Sequence, residues 1–109
     1  MLTVRLLNVA KKPAIGTPGS SAVQRGFDVR IETNPHLQAY RVAVVWTQDG
    51  WRTINYTESN LAEIRNDNDI WAASVSYFTT PNITFFYALA AAGPDGISWD
   101  NNGGWNYMI

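Results

Sequence analysis

Apolar and polar residues alternate along most of this chain with the period of two that is typical of a β-strand. The clearest case is residues 27–32, FDVRIE, in which every second residue is large and apolar. No stretch of about 11 residues or more carries the apolar stripe of an amphipathic helix. The pattern therefore predicts an all-β chain.

The predicted strands are short and are separated by turn signals at roughly ten-residue spacing. Asp49-Gly50 and the GPDG of residues 93–96 predict turns. Residues 13–26, rich in Gly, Ser and Pro, predict a loop, and residues 61–64 predict a helical turn. The strands are predicted at residues 2–10, 27–32, 40–47, 51–56, 70–78 and 83–91, with a last pair of arms around residues 99 and 107. Seven to eight antiparallel strands in one domain, residues 1–109, favour an immunoglobulin-like β-sandwich.

The balance of charge narrows the range of partners. Eight Lys and Arg residues against nine Asp and Glu give a net charge of −1, so the chain lacks the basic surface that binds nucleic acid or an anionic membrane. Charged residues are 16% of the chain and aromatic residues 13%. This balance favours a neutral partner that is bound by aromatic stacking and uncharged hydrogen bonds.

Cysteine is absent and His36 is the single histidine, which argues against a metal site, a cofactor and a Ser-His-Asp arrangement. The first residues alternate, so no apolar core of a signal peptide is visible. A chain complete as printed would be cytoplasmic. No apolar run approaches the roughly 20 residues of a membrane span.

The C-terminal segment ISWDNNGGWNY, residues 97–107, combines two indoles with amide and carboxylate side chains around a Gly-Gly turn. A flat aromatic ring covers the apolar C–H face of a pyranose, and Asn or Asp side chains supply donors and acceptors for its hydroxyls. The alternative interpretation is a terminal hairpin with Asn-Gly turn residues and core tryptophans.

This segment resembles the W-D-N-N-x-G-x-N-Y signature of starch- and glycogen-binding carbohydrate-binding modules, families 21, 25 and 53. Upstream, VAVVWTQDGWRT at residues 42–53 is similar to the V-x-V-R-Y-T-x-D-G-W-x-T run of family 21. The resemblance covers about residues 27–109. It implies the same sandwich fold and non-catalytic binding of α-1,4-glucans.

The resemblance also implies the ligand-binding residues. Trp51 and Trp99 fall on two stacking platforms of the family, and Asn101 and Asn106 on two asparagines that bond sugar hydroxyls. Both asparagines have an alternative role, since Asn stabilises turns and tolerates left-handed backbone. The third platform is Phe86 or Tyr87. Alternation favours an outward Phe86, whereas the family's F-Y pair favours Tyr87, towards which we lean.

The remaining aromatic residues have other predicted roles. Trp71 is predicted to pack in the core, Tyr107 to belong to the scaffold, and Trp46 to lie in the core or at the sheet edge. Trp105 departs from the family; an extended platform, a filled sheet edge and self-association all fit it. Tyr40 and Tyr56 are the candidates for a second site.

The predicted function is non-catalytic binding of starch, glycogen or malto-oligosaccharide, with avidity from an attached enzyme or self-association. The alternative is a protein–protein interaction domain that uses the same tryptophans. A hydrolase using Asp49, Asp95 or Asp100 is disfavoured because all three lie in turns.

Overall fold

Strands make up most of the chain in the computed structural model, which describes residues 1–16 and 18–109. Within these ranges eight strands have at least four residues, in agreement with the seven to eight predicted. A 3-10 turn covers Asn102–Gly104. The strands are β1 (Thr3–Lys11), β2 (Ile15–Gly16), β3 (Val23–Asn34), β4 (Arg41–Thr47), β5 (Asn55–Glu58), β6 (Asn60–Arg65), β7 (Asn68–Thr79), β8 (Phe86–Gly93), β9 (Gly96–Asp100) and β10 (Tyr107–Met108).

The strands form two antiparallel sheets. The first has the order β1-β3-β7-β6, with β2 beside the start of β3. The second has the order β10-β8-β4-β5. Because β4 occupies one edge of β8 along its length, β9 and β10 follow one another along the other edge.

The core lies between the sheets and is built by alternation. Phe27, Val29 and Ile31 of β3 are at most 1% exposed, and they face Val44 of β4 and Leu89 of β8, both fully buried. Burying one such side chain stabilises the fold by about 1.5 to 3 kcal/mol. The predicted β-sandwich is therefore confirmed, and its core follows the apolar pattern of the sequence.

Aromatic rings close the core at one end of the sandwich. Phe85 stacks on Tyr77 with ring centroids 4.2 Å apart and on Trp46 at 5.2 Å.

Trp71 is 8% exposed and its indole N–H donates to the Thr33 hydroxyl at 2.8 Å. Trp71 is therefore a core residue, as predicted.

The predicted helical turn at residues 61–64 is wrong. These residues lie in β6, which pairs with β7 along the edge of the first sheet. The pairing register shifts between Leu61 and Glu63, and this irregularity breaks the period of two. Leu61 and Ile64 are therefore three residues apart, which is also the spacing of apolar residues on one face of a helix.

Several predicted boundaries also differ from the structure. The predicted loop at residues 13–26 contains β2 and the start of β3; Thr17, within it, lies outside the described residues. The strand predicted at residues 51–56 begins only at Asn55, and the one predicted at 83–91 spans Phe86–Gly93. None of the helical segments in the described ranges has the length and apolar character needed to cross a bilayer.

Candidate functional site

The outer face of the second sheet carries small side chains in its centre. Alternation along β8 turns Ala88, Ala90 and Ala92 outward, while Leu89 and Ala91 enter the core. Ala43 of β4 lies directly opposite Ala90. A methyl group is the shortest apolar side chain, so larger neighbours on the flanking strands rise above this row.

Those neighbours make Ala43, Ala90 and Ala92 the floor of a cleft of about 300 Å³. Trp99 of β9 lies opposite Ala90 on one side, and Tyr56 of β5 lies on the other. Their side chains are 53% and 59% exposed. Two exposed aromatic rings thus flank a shallow apolar floor, with Ile97 beside Trp99.

The cleft carries no net charge. Arg41, at one end, donates from Nε and one terminal nitrogen to the two carboxylate oxygens of Glu58, at 2.7 and 2.6 Å. This bidentate contact lowers the pKa of Glu58 and raises that of Arg41. Both groups therefore stay ionised and neutralise each other, which favours an uncharged ligand.

The loop between β9 and β10 explains the run of Asn and Gly residues at 101–106. Asn102, Gly103, Gly104 and Asn106 have positive φ angles of 56°, 68°, 98° and 59°. Only Gly adopts this left-handed backbone at no cost, and Asn tolerates it better than most residues. The backbone of this turn therefore accounts for much of the W-D-N-N-x-G-x-N-Y signature.

The asparagine side chains of this loop are not equally available. The Asn101 Oδ1 accepts from the Gly104 N–H at 3.1 Å, and the Asn102 Nδ2 donates to the Asn106 carbonyl at 3.2 Å. The Asn106 side-chain amide has no hydrogen-bond partner among the described residues. Asn106 therefore keeps its whole side-chain amide for a ligand, while the Asn101 oxygen already accepts one hydrogen bond within the turn.

Asp100 and Tyr107 fix the loop to the sheet. The Asp100 carboxylate accepts from the Tyr107 hydroxyl and, at 2.9 Å, from the backbone N–H of Leu6 in the first sheet. Burial, and after it the hydrogen bond and negative charge of Asp100, raise the pKa of Tyr107 to about 12. Both residues therefore belong to the scaffold, as predicted for Tyr107.

Trp51 lies in the loop between β4 and β5, which is held by several hydrogen bonds. Its backbone has φ 70°, and its N–H donates to the Thr47 hydroxyl at 3.1 Å. Asp49 Oδ1 accepts from the Thr53 N–H and the Thr47 hydroxyl, both at 2.8 Å. These bonds lower the pKa of Asp49 to about 2. Thr47 pairs with Phe86 at the end of β4, so the backbone of the Trp51 loop is held at the end of the second sheet where Phe86 lies.

The preference for Tyr87 as the outward ring is wrong. Tyr87 is 2% exposed, and its ring stacks on Tyr107 at 5.3 Å and packs against Phe27. Phe86 is half-buried on the outer face, between Thr47 and Met108. Periodicity gave the correct register here. The pairing with the family failed because alternation within β8 puts Tyr87 on the same face as the buried Leu89 and Ala91.

The structure places Trp99 and Phe86 on the outer face of the second sheet. Trp99 lines the cleft, and Asn101 and Asn106 follow it in the adjoining loop. Phe86 is four residues from Ala90 along β8, roughly 13 Å. Trp51 is half-buried in the loop that follows β4. Tyr87 is not part of this face.

Sequence reasoning missed that Tyr56 faces Trp99 across the same floor, because it considered Tyr56 only for a separate site. The signal was present in the small residues that alternate at 88, 90 and 92. They predict a groove once β8 is placed between β4 and β9.

The three carboxylates considered for a hydrolase have structural roles or lie apart from one another. Asp49 and Asp100 hold turns through the hydrogen bonds given above, and Asp95 is exposed in the turn between β8 and β9. Among residues 1–16 and 18–109 no group of three or more acidic or histidine side chains is arranged to hold a metal ion.

Comparison with known proteins gives a match at the level of the fold. No protein-family model matches the chain, and no curated protein matches it. Fifteen solved chains match. Among them is the solution structure of the carbohydrate-binding module of the muscle glycogen-targeting subunit of protein phosphatase-1. That structure has 19% identity and a TM-score of 0.50, over 92% of this chain and 73% of that chain. The chain therefore has the β-sandwich fold of a solved carbohydrate-binding module.

Proposed function

We propose that this protein binds carbohydrate without catalysis, and that its ligand is an α-1,4-glucan such as starch, glycogen or a malto-oligosaccharide. The observation that carries the proposal is the cleft in which Trp99 and Tyr56 flank a floor of alanines. A sugar ring presents an apolar face to such aromatics and hydroxyls at its edge. The free amide of Asn106 lies in the loop that adjoins Trp99.

The nature of the fold neighbour supports the same ligand. That neighbour is a carbohydrate-binding module from a glycogen-targeting subunit. The W-D-N-N and D-G-W segments, which resemble starch- and glycogen-binding modules, supply Trp99, Asn101, Asn106 and Trp51 of the proposed site. Phe86, on the same face, is the proposed third stacking ring.

The glucan would lie along the outer face of the second sheet, from the Trp99 cleft towards Phe86 and Trp51. Such a surface desolvates few atoms, so affinity per module is expected to be on the order of micromolar to millimolar. Attachment to an enzyme or self-association would raise avidity. Because the Arg41–Glu58 ion pair has no net charge, glucan affinity is expected to depend only weakly on salt.

Titration with maltoheptaose or β-cyclodextrin, followed by tryptophan fluorescence, tests this function. We expect saturable binding that Trp99→Ala weakens, and retention on insoluble starch but not on cellulose or chitin. Unchanged fluorescence at millimolar sugar, together with free passage over starch, would contradict the proposal.

A second candidate is a protein-interaction surface. Ile97, Trp105 and Met108 are 62%, 82% and 65% exposed on or near the same face. Exposed apolar residues of this kind also occur in protein interfaces. The glucan titration separates the two candidates, because a protein-interaction surface would leave the sugar unbound.

A further inference from the structure

A second, larger cleft of about 520 Å³ opens at the end of the sandwich where β3 begins and β7 ends. Tyr77 and Phe85, the stacked rings that close the core, line it from below. Lys11 of β1 and Arg25 of β3 line its exposed rim. It lies between the sheets and is distinct from the Trp99 cleft on the outer face.

Both cations occupy positions that alternation assigns to the inner face. Lys11 pairs with Phe27, and Arg25 pairs with Tyr77. Both partners belong to the core. An inward charge can protect an exposed sheet edge, but Arg25 lies on β3, which has neighbours on both sides. Edge protection therefore does not account for Arg25, and positions that break the pattern are often functional.

No acidic side chain compensates the charge of this cleft. No Asp or Glu side chain lines it. Among the described residues neither Lys11 nor Arg25 forms an ion pair with an Asp or Glu side chain. Lys12, also at the cleft, pairs its ammonium with Asp28 and Ser74 on the outer face. Two positive charges thus remain at one opening. A bound anion would reduce the repulsion between them.

Tyr77 adds a hydroxyl near these charges. Burial raises the pKa of Tyr77, while the charge of Arg25 lowers it, as expected if the guanidinium lies within electrostatic range of the phenol. The neutral phenol is therefore available as a hydrogen-bond donor at neutral pH. An Arg fork, an ammonium and a hydroxyl are a suitable donor set for an oxyanion.

We propose that this cleft binds a phosphate group, carried by a small phosphomonoester. The positive charges of Lys11 and Arg25 match the charge of a phosphomonoester at pH 7, about −1.5 to −2. The guanidinium can hold two phosphate oxygens at once. The volume of the cleft leaves room for an organic body beside the phosphate, so free phosphate would fill it incompletely.

Titration of the full chain with a hexose phosphate, inorganic phosphate and the unphosphorylated hexose, followed by NMR, tests this site. We expect saturable binding of the hexose phosphate, with shifts at Arg25 and Tyr77 and not at Trp99. Arg25→Gln and Lys11→Gln should each weaken it about tenfold or more, since charge-assisted hydrogen bonds are lost. Equal affinity for inorganic phosphate would identify free phosphate as the source of the group.

Arg30→Gln is the matched control. Arg30 lies on β3, five residues beyond Arg25 and on the outer face, so its substitution changes the net charge equally and should leave binding intact. Without phosphate, Arg25→Gln should also raise the thermal midpoint by removing like-charge repulsion. Absence of saturable binding by either phosphate compound, or an equal loss in Arg30→Gln, would overturn the proposal.

Discussion

The Tyr107 hydroxyl donates to both carboxylate oxygens of Asp100, at distances of 2.9 and 2.8 Å. Asp100 ends β9 and Tyr107 begins β10, so this contact joins the two ends of the loop that carries Asn101 and Asn106. The loop that is proposed to bind sugar is therefore closed by a hydrogen bond to a charged group, below the surface that it presents.

Tyr107→Phe should remove this bond and keep the ring that stacks on Tyr87. We expect a loss of about 1.5 to 3 kcal/mol of unfolding free energy, the range for hydrogen bonds to charged groups. Glucan affinity should fall as well, because Asn106 loses its fixed position. Chemical unfolding and maltoheptaose titration measure the two effects. Tyr40→Phe is the control for stability, since Tyr40 is 71% exposed and the variant should keep the unfolding free energy.

Trp99→Ala and Trp71→Ala should separate binding from stability. Trp99 is 53% exposed, so its removal should weaken glucan binding by about 1 to 3 kcal/mol and leave the thermal midpoint within a few degrees. Trp71 is 8% exposed, and its removal should cost about 3 to 5 kcal/mol of stability. A Trp99→Ala variant that unfolds early but binds normally would refute the assignment of Trp99 to the site.

Phe86→Ala and Tyr87→Ala should also act in opposite ways, because adjacent residues of a strand face opposite sides. Loss of the outward, half-buried Phe86 should weaken glucan binding and cost less stability than loss of Tyr87. Loss of the buried Tyr87 should cost about 3 to 5 kcal/mol of stability. Thermal melts combined with titrations measure both. Normal glucan binding by a folded Phe86→Ala variant would remove Phe86 from the proposed site.

Asp49→Ala should affect the site from a distance. Asp49 does not line the cleft; it accepts hydrogen bonds from Thr47 and Thr53 that order the loop of Trp51. Their loss should weaken glucan binding severalfold with a small decrease in the thermal midpoint. Asp95→Ala, which removes an exposed carboxylate from another turn, should leave binding unchanged. Equal binding by the two variants would show that the Trp51 loop needs no such support.

The sequence predicts the sandwich well because alternation and burial have the same cause. Phe27, Val29 and Ile31 are apolar at every second position and all enter the core. The prediction failed where the backbone departs from regular alternation. The bulge in β6 gave Leu61 and Ile64 a helical spacing, and the positive φ of Trp51 delayed the start of β5.

The site was predictable only in part, because it depends on which strands become neighbours. Trp99 and its loop could be read from local sequence, since their chemistry lies within eight consecutive residues. Tyr56 is more than 40 residues away, and β8 and β4 bring it across the floor from Trp99. No local pattern contains that pairing order.

Alkaline pH should destabilise the protein through the stacked pair Tyr87 and Tyr107. Burial raises the pKa of each from 10.0 to about 12, since the core disfavours the phenolate; Asp100 adds to the effect. The folded state thus binds these protons more tightly than the unfolded state does. The stabilisation is complete below pH 10 and is lost as the pH rises to about 12. Chemical unfolding at increasing pH, with tyrosinate absorbance as the titration signal, measures this loss. Tyr107→Phe should show a shallower decline, and an equal decline in both proteins would mean that Tyr107 does not contribute.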